Sequence, residues 1–136
     1  MRVIGAVLLF CTVFCISGCV SLSRTEKATL SELQSYGVSP TEVKEKAPGA
    51  AGVLNILPGG GNFYLAAGTD ESEQWLYAFL NLLTWPASVV WGVPEAAIDA
   101  GNINKKATVE YYTFDKVGKE EFAKMRAEHG AQKQVE

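Results

Sequence analysis

Cysteine and histidine are nearly missing from this sequence. The three cysteines lie at Cys11, Cys15 and Cys19, and His129 is the one histidine. Beyond residue 19 there is no thiol, so Cys-His nucleophiles and the common thiolate and imidazole metal sets are excluded. Surplus positive charge is also missing: 12 Lys and Arg face 15 Asp and Glu, a net of −3, with no polybasic tract. That removes the electrostatic term on which nucleic-acid binding rests. A long hydrophobic run is the third absence, because Val3 to Ile16 is apolar but too short for a comfortable membrane span.

What stands at the start is a charged residue, Arg2, an apolar stretch and a small-residue ending, Ile16-Ser17-Gly18-Cys19. This is the three-part pattern of a secretory signal, expected over residues 1–18. The ending resembles the lipobox of bacterial lipoproteins: an aliphatic residue, two small residues and a cysteine. That resemblance implies diacylation of Cys19, which would become the new N-terminus and be acylated again, a stable anchor where one chain alone holds only marginally. Val20 follows Cys19 in place of the aspartate that marks inner-membrane retention. The resemblance therefore implies a lipid-anchored protein of the bacterial outer membrane, on the periplasmic face, with the inner membrane as alternative. Removal of residues 1–18 would discard Cys11, Cys15 and a single charge, and leave chain for one small domain.

The chain then divides into residues 19–46, a lipidated N-terminus with a helical tether; 47–104, an apolar helical hairpin; and 105–136, a strand, an amphipathic helix and a disordered tail. In the tether, Leu30, Leu33 and Tyr36 share one helical face and Gly37 suits a left-handed stop. Ser39-Pro40-Thr41-Glu42 reads as a second helix start with a capping box. Between Lys46 and Asp70 lie 23 uncharged residues, with six glycines, and between Glu73 and Glu95 lie 21 more. Trp75 to Leu80 is apolar on every side, which places such a helix within protein or lipid. Asp70 with Glu73 supplies a cap and an acidic first turn, and Pro86 is expected to break this helix with Trp85 as the hinge. Glu95 to Ala100 is helix-forming and runs to Gly101-Asn102. Thr108 to Phe114 alternates and is rich in β-branched and aromatic residues, the pattern of a strand. Lys119 to Glu128 reads as a helix with Phe122 and Met125 on one face, stopped at Gly130. The fold class is thus mainly α, with one short strand.

The glycine-rich element Pro58-Gly59-Gly60-Gly61, then Phe63-Tyr64-Leu65, Leu80-Asn81-Leu82-Leu83-Thr84, Trp91 and Ile98-Asp99 follow one another in an order that resembles the small two-transmembrane-helix domain family. The resemblance covers roughly residues 50–104. Where that family carries His-Arg before Phe-Tyr, this chain has Gly61-Asn62. It implies architecture, with Pro58, Gly59, Gly60, Gly61, Phe63, Tyr64, Leu65, Trp91 and Asp99 as a structural motif, and no chemistry. A hairpin threaded through the inner membrane from a lipid on the exported face would put Asp70-Glu71-Ser72-Glu73 in the cytoplasm and leave Lys44, Lys46, Lys105 and Lys106 outside. That inverts the positive-inside preference. A hairpin packed on itself, on a membrane surface or on a partner is the favoured expectation over a spanning one.

Candidate chemistry is thin. Gly59-Gly60-Gly61 lacks the spaced glycines of a dinucleotide loop and the Lys-Ser/Thr of a phosphate loop, and suits a tight turn allowing close helix approach. Glu95 and Asp99 share a helical face and serve either acid-base work or the solvation of a helix end. Trp75, Trp85, Trp91, Tyr64 and Tyr77 form either an interfacial aromatic belt or a core. The sequence supports no catalytic residue, no metal and no cofactor. Its expected partners are membrane lipid through Cys19 and an envelope protein or a second copy, and its function is that of a non-enzymatic envelope lipoprotein with a packing hairpin; an accessory inner-membrane subunit with a spanning hairpin is the alternative.

Overall fold

The computed structural model describes residues 20–85 and 87–132; the signal segment, Cys19, Pro86 and residues 133–136 lie outside the described residues. Six helices occur among them: α1 (Arg24–Ser35), α2 (Pro48–Leu54), α3 (Gly60–Ala66), α4 (Glu73–Thr84), α5 (Val89–Phe114) and α6 (Lys116–Gln132). The chain is mainly helical, and no strand is present among the described residues. Two compact units form. Among the described residues, unit one holds Val20, Ser21 and residues 46–100, and unit two holds residues 22–45 and 101–132. Helix α5 contributes its first half to one unit and its second half to the other.

Unit two begins with a capping box at Ser23: its hydroxyl accepts from the Glu26 N–H, and the Glu26 carboxylate accepts from the Ser23 N–H. Helix α1 ends as its sequence predicts. Gly37 adopts φ 88°, its N–H donates to the Gln34 carbonyl and that of Val38 to the Leu33 carbonyl, the paired bonds of a Schellman ending that need a left-handed residue. Leu33, Tyr112 and Phe122 form the core, with Tyr36, Val38, Tyr111 and Met125 packed on it. Arg126 stacks over the Phe122 ring at 4.1 Å and forks onto Glu32 at 2.6 and 2.8 Å.

Three local expectations fail in unit two. The expected strand over 108–114 is helix, the last turns of α5. Asn104, Ala107, Thr108 and Tyr112 are buried at helical spacing, and the Thr108 hydroxyl donates to the Asn104 carbonyl one turn back. Packing overrides a β propensity that was never intrinsic to the backbone. The second helix start at Ser39 yields only a turn. There the Val43 N–H donates to the Thr108 hydroxyl at 3.1 Å and the Glu45 N–H to Asn104 Oδ1 at 2.9 Å, so side chains of α5 take the amides a helix would have used. Gly130 does not stop α6, which continues to Gln132, so Ala131 and Gln132 are helical where a disordered tail was expected.

In unit one, α2 packs on α3 and α3 on α4. Gly59 (φ 73°) caps α3 and Gly60 and Gly61 open its first turn, and a Cβ on any of them would strike a backbone carbonyl, of Ala78, Leu54 and Ala51 respectively. The glycine run therefore serves close helix approach. Helix α4 is capped at Ser72, not Asp70, without a side-chain bond, while Glu73 does supply an acidic first turn. It ends at Thr84, where Trp85 turns to an extended conformation, as expected of a residue before proline. Pro94 lies inside α5, not ahead of a new helix; it lacks the N–H for the Val90 carbonyl, and both residues are exposed to solvent. Helix α5 also runs through Gly101 and Asn102 without interruption.

Candidate functional site

Unit one is built with its polar side chains inside. On α4 the buried residues are Gln74, Ala78 and Asn81, spaced by four and three so that they share one face. The opposite side carries Trp75, Leu76, Phe79, Leu80, Leu82 and Leu83, all exposed, Leu83 to 80%. At about 100° per residue these six cover an arc of roughly 160°, wider than the stripe an ordinary surface helix turns to a core, and here it points away from one. Val53, Leu54, Ile56 and Leu57, at the end of α2 and in the following turn, are exposed as well.

The interior polar groups form one chain. Asn81 Nδ2 donates to Asn62 Oδ1 at 2.8 Å, Asn62 Nδ2 to Gln74 Oε1 at 2.8 Å, and Gln74 Nε2 to Asp99 Oδ2 at 2.8 Å. The Val20 N–H donates to Asp99 Oδ1 at 3.2 Å. Asn62, Gln74 and Asp99 are fully buried. Two further bonds flank the chain: the Ser88 hydroxyl donates to the Asn81 carbonyl at 2.9 Å, and the Gly61 N–H to Asn55 Oδ1 at 3.1 Å. Among the described residues no fully buried side-chain nitrogen or oxygen lacks a partner, so the network meets the condition under which a buried polar core is tolerated.

The remaining contacts are small. Ala51, Ala66, Ala78, Ala96 and Ala100 are buried, with Leu65 the one large aliphatic side chain wholly enclosed in residues 46–100. Lys46 is buried as well. Its Nζ donates to the Tyr64 and Ala67 carbonyls and lies 4.9 Å from the Tyr64 ring centre, so an ammonium closes the C-terminal end of α3. The Tyr64 hydroxyl in turn accepts from the Ala47 N–H at 3.0 Å, beside the start of α2.

The motif residues thus separate by role. Gly59, Gly60 and Gly61 bring helices together, Leu65 fills the interior, Tyr64 links α3 to α2, and Asp99 terminates the polar chain. Phe63 packs edge-on against Trp75 at 5.5 Å and Phe79 at 5.9 Å. Pro58 and Trp91 are half-buried. Asp99 neither solvates nor caps a helix end: it is enclosed and hydrogen-bonded, while Glu95 is half-buried. Of the five candidate belt residues, Trp75 and Trp85 are exposed and Tyr64, Tyr77 and Trp91 half-buried. His129 lies apart in unit two, edge-on to Tyr36 at 5.2 Å. Sequence reasoning did not single out Asn62, Gln74 or Asn81. The available signal was two amides seven residues apart on a helix otherwise apolar all round.

No family model matches the chain, and neither the curated proteins nor the solved structures yield a match.

Proposed function

We propose that the chain is a non-enzymatic, lipid-anchored lipoprotein of the bacterial cell envelope, held through acylated Cys19 in the outer membrane, that works by packing the apolar face of unit one against an envelope partner, a second copy or the membrane surface. The observation that carries this reading is the inverted polarity of α4, which buries Gln74 and Asn81 and exposes Trp75, Leu76, Phe79 and Leu83. A helix so arranged presents a contact surface, since an exposed apolar patch of this extent marks an interaction site. The interior supports binding over catalysis for a chemical reason: its amides neither titrate nor attack, and Asp99 is enclosed among them.

A packed hairpin is favoured over the membrane-spanning alternative by helix length. Among the described residues no helix is long and apolar enough to cross a membrane. Helix α4, with 12 residues, reaches about 18 Å against a hydrocarbon core of about 30 Å.

The test combines two measurements in cells. Radiolabelled fatty acid is expected in the wild type and not in Cys19→Ser. A photo-cross-linking residue at Leu76 or Leu83 is expected to capture a neighbouring protein, a second copy or lipid, and the same residue at Glu120, an exposed position of α6, is not. Label persisting in Cys19→Ser overturns the anchor, and equal capture from all three positions overturns the packing surface. For localisation, membrane fractionation is expected to find the wild type in the outer membrane and Val20→Asp shifted to the inner one; because Val20 is buried, Val20→Asn serves as the control for altered packing, and wild-type protein confined to the inner membrane favours the spanning alternative.

A further inference from the structure

The apolar face of unit one leaves its occupant unnamed, and the construction of the whole unit narrows it. Large apolar side chains outside, small residues at the helix contacts and amide groups inside is the arrangement of helices packed in lipid. There, burial of Leu or Phe supplies no drive for helices to meet, and close approach with interhelical hydrogen bonds does. Unit one has each part. Glycines and alanines line its contacts, the chain from Asn81 to Asp99 joins α3, α4 and α5, and leucines and tryptophans face outward. The exposed arc of α4 spans roughly 160°, wider than the stripe a single packed neighbour covers, and Val53, Leu54, Ile56 and Leu57 of the same unit are exposed as well. The charged residues of residues 46–100 are few, and two of them, Lys46 and Asp99, are buried; Asp70, Glu71 and Glu73 gather at the start of α4.

We propose that the outward face of unit one is seated in the acyl layer of the leaflet that carries the Cys19 lipid, a half-membrane insertion that does not cross. The assignment rests on the lipoprotein reading for its anchor, and the residue that follows the anchor is held in this same unit. Val20, the residue after Cys19, is buried and bonded to Asp99, whose other oxygen is bonded to Gln74, the neighbour of Trp75. Acyl chains on Cys19 therefore enter the bilayer within one residue of the unit that bears the apolar face. Surface charge contributes nothing to the attraction, because the exposed charges here are acidic.

The full-length lipidated protein is purified in detergent and reconstituted into phosphatidylcholine vesicles with and without brominated acyl chains. Trp85→Phe with Trp91→Phe leaves Trp75 as the reporter. Its emission is expected to be shifted to the blue and at least halved by the brominated chains, equally at low and high salt. Leu76→Glu with Leu83→Glu, two exposed positions, is expected to abolish the quenching while helix content by circular dichroism stays the same. Trp75 that emits as in water and is not quenched, in protein that carries its fatty-acid label, overturns the insertion and leaves the lipoprotein reading standing. Unquenched Trp75 with a disulfide-linked dimer of Leu83→Cys assigns the face to a second copy instead, and also overturns it. Quenching retained in Cys19→Ser protein overturns the dependence on the anchor but supports the insertion.

Discussion

The backbone N–H of Val20 meets Oδ1 of Asp99, 79 positions further along the chain, at 3.2 Å and out of contact with water. The second residue behind the expected cleavage point is therefore part of the folded interior and not of a loose leader. Asp99 needs both of its oxygens for this, one for Val20 and one for Gln74.

Asp99→Asn tests that double role. An amide offers one acceptor oxygen where the carboxylate offers two, so its nitrogen would face either the Val20 N–H or the Gln74 amide. A buried donor without a partner costs about 1–3 kcal/mol. The substitution is expected to lower the urea midpoint accordingly, and to expose the segment around Arg24 to trypsin if the Val20 bond is the one lost.

Asn62→Ala removes the middle of the chain and leaves both Gln74 Oε1 and Asn81 Nδ2 without their observed partner. A loss of about 2–4 kcal/mol is expected, more than for either end alone. A double-mutant cycle of Asn62→Ala with Asn81→Ala should be strongly non-additive, because the second change removes an orphan the first created.

Glycine positions should divide in sign. A Cβ at Gly61 would collide with the Ala51 carbonyl and crowd Asn55 and Ala96, so Gly61→Ala is expected to destabilise by about 1–3 kcal/mol. Gly49 in α2 has nothing within 4 Å of such an atom, and Gly49→Ala is expected to raise stability by about 0.5 kcal/mol through the unfolded chain. Thermal melts of the two variants side by side give the comparison.

Unit two carries a pH dependence of known sign. The Arg126 guanidinium, hydrogen-bonded to Glu32, holds that carboxyl below its ordinary value of 4.5, against slight desolvation, with the Tyr36 hydroxyl adding to the lowering. A depressed carboxyl stabilises the fold above the ordinary value and loses that contribution as pH falls through the lowered one. Both side chains are partly exposed, so the effect is about 1 kcal/mol or less. Stability measured from pH 6 down to pH 2 should fall less steeply in Glu32→Gln than in the wild type.

Much of the helical content follows from local signals. The Leu30–Leu33–Tyr36 face with its Gly37 ending, the break after Trp85 and the Phe122–Met125 face are all visible in the residue pattern. Thr108 to Phe114 is not, because Thr108 and Tyr112 are buried at helical spacing, Tyr112 against Leu33 and Phe122, a distant choice that no local window contains. The helix start at Ser39 fails for the same reason: Thr108 and Asn104 offer better partners to the amides of Val43 and Glu45 than a short helix would. In unit one the glycine turn was legible, while the amide chain required knowing that α3, α4 and α5 meet.

That amide chain has a direction. A carboxylate accepts and does not donate, so Gln74 must turn its nitrogen toward Asp99 and its oxygen toward Asn62; Asn62 must then present its own nitrogen to Gln74 and its oxygen to Asn81. Each amide orientation is dictated by the one before it, beginning from a single acid at one end. Reversing Gln74 or Asn62 sets donor against donor on one side and acceptor against acceptor on the other, and reversing Asn81 sets its oxygen against that of Asn62. Three helices whose contacts are mostly alanine and glycine would otherwise slide past one another at little cost, and the one-way sequence of bonds leaves them a single register in which every partner agrees.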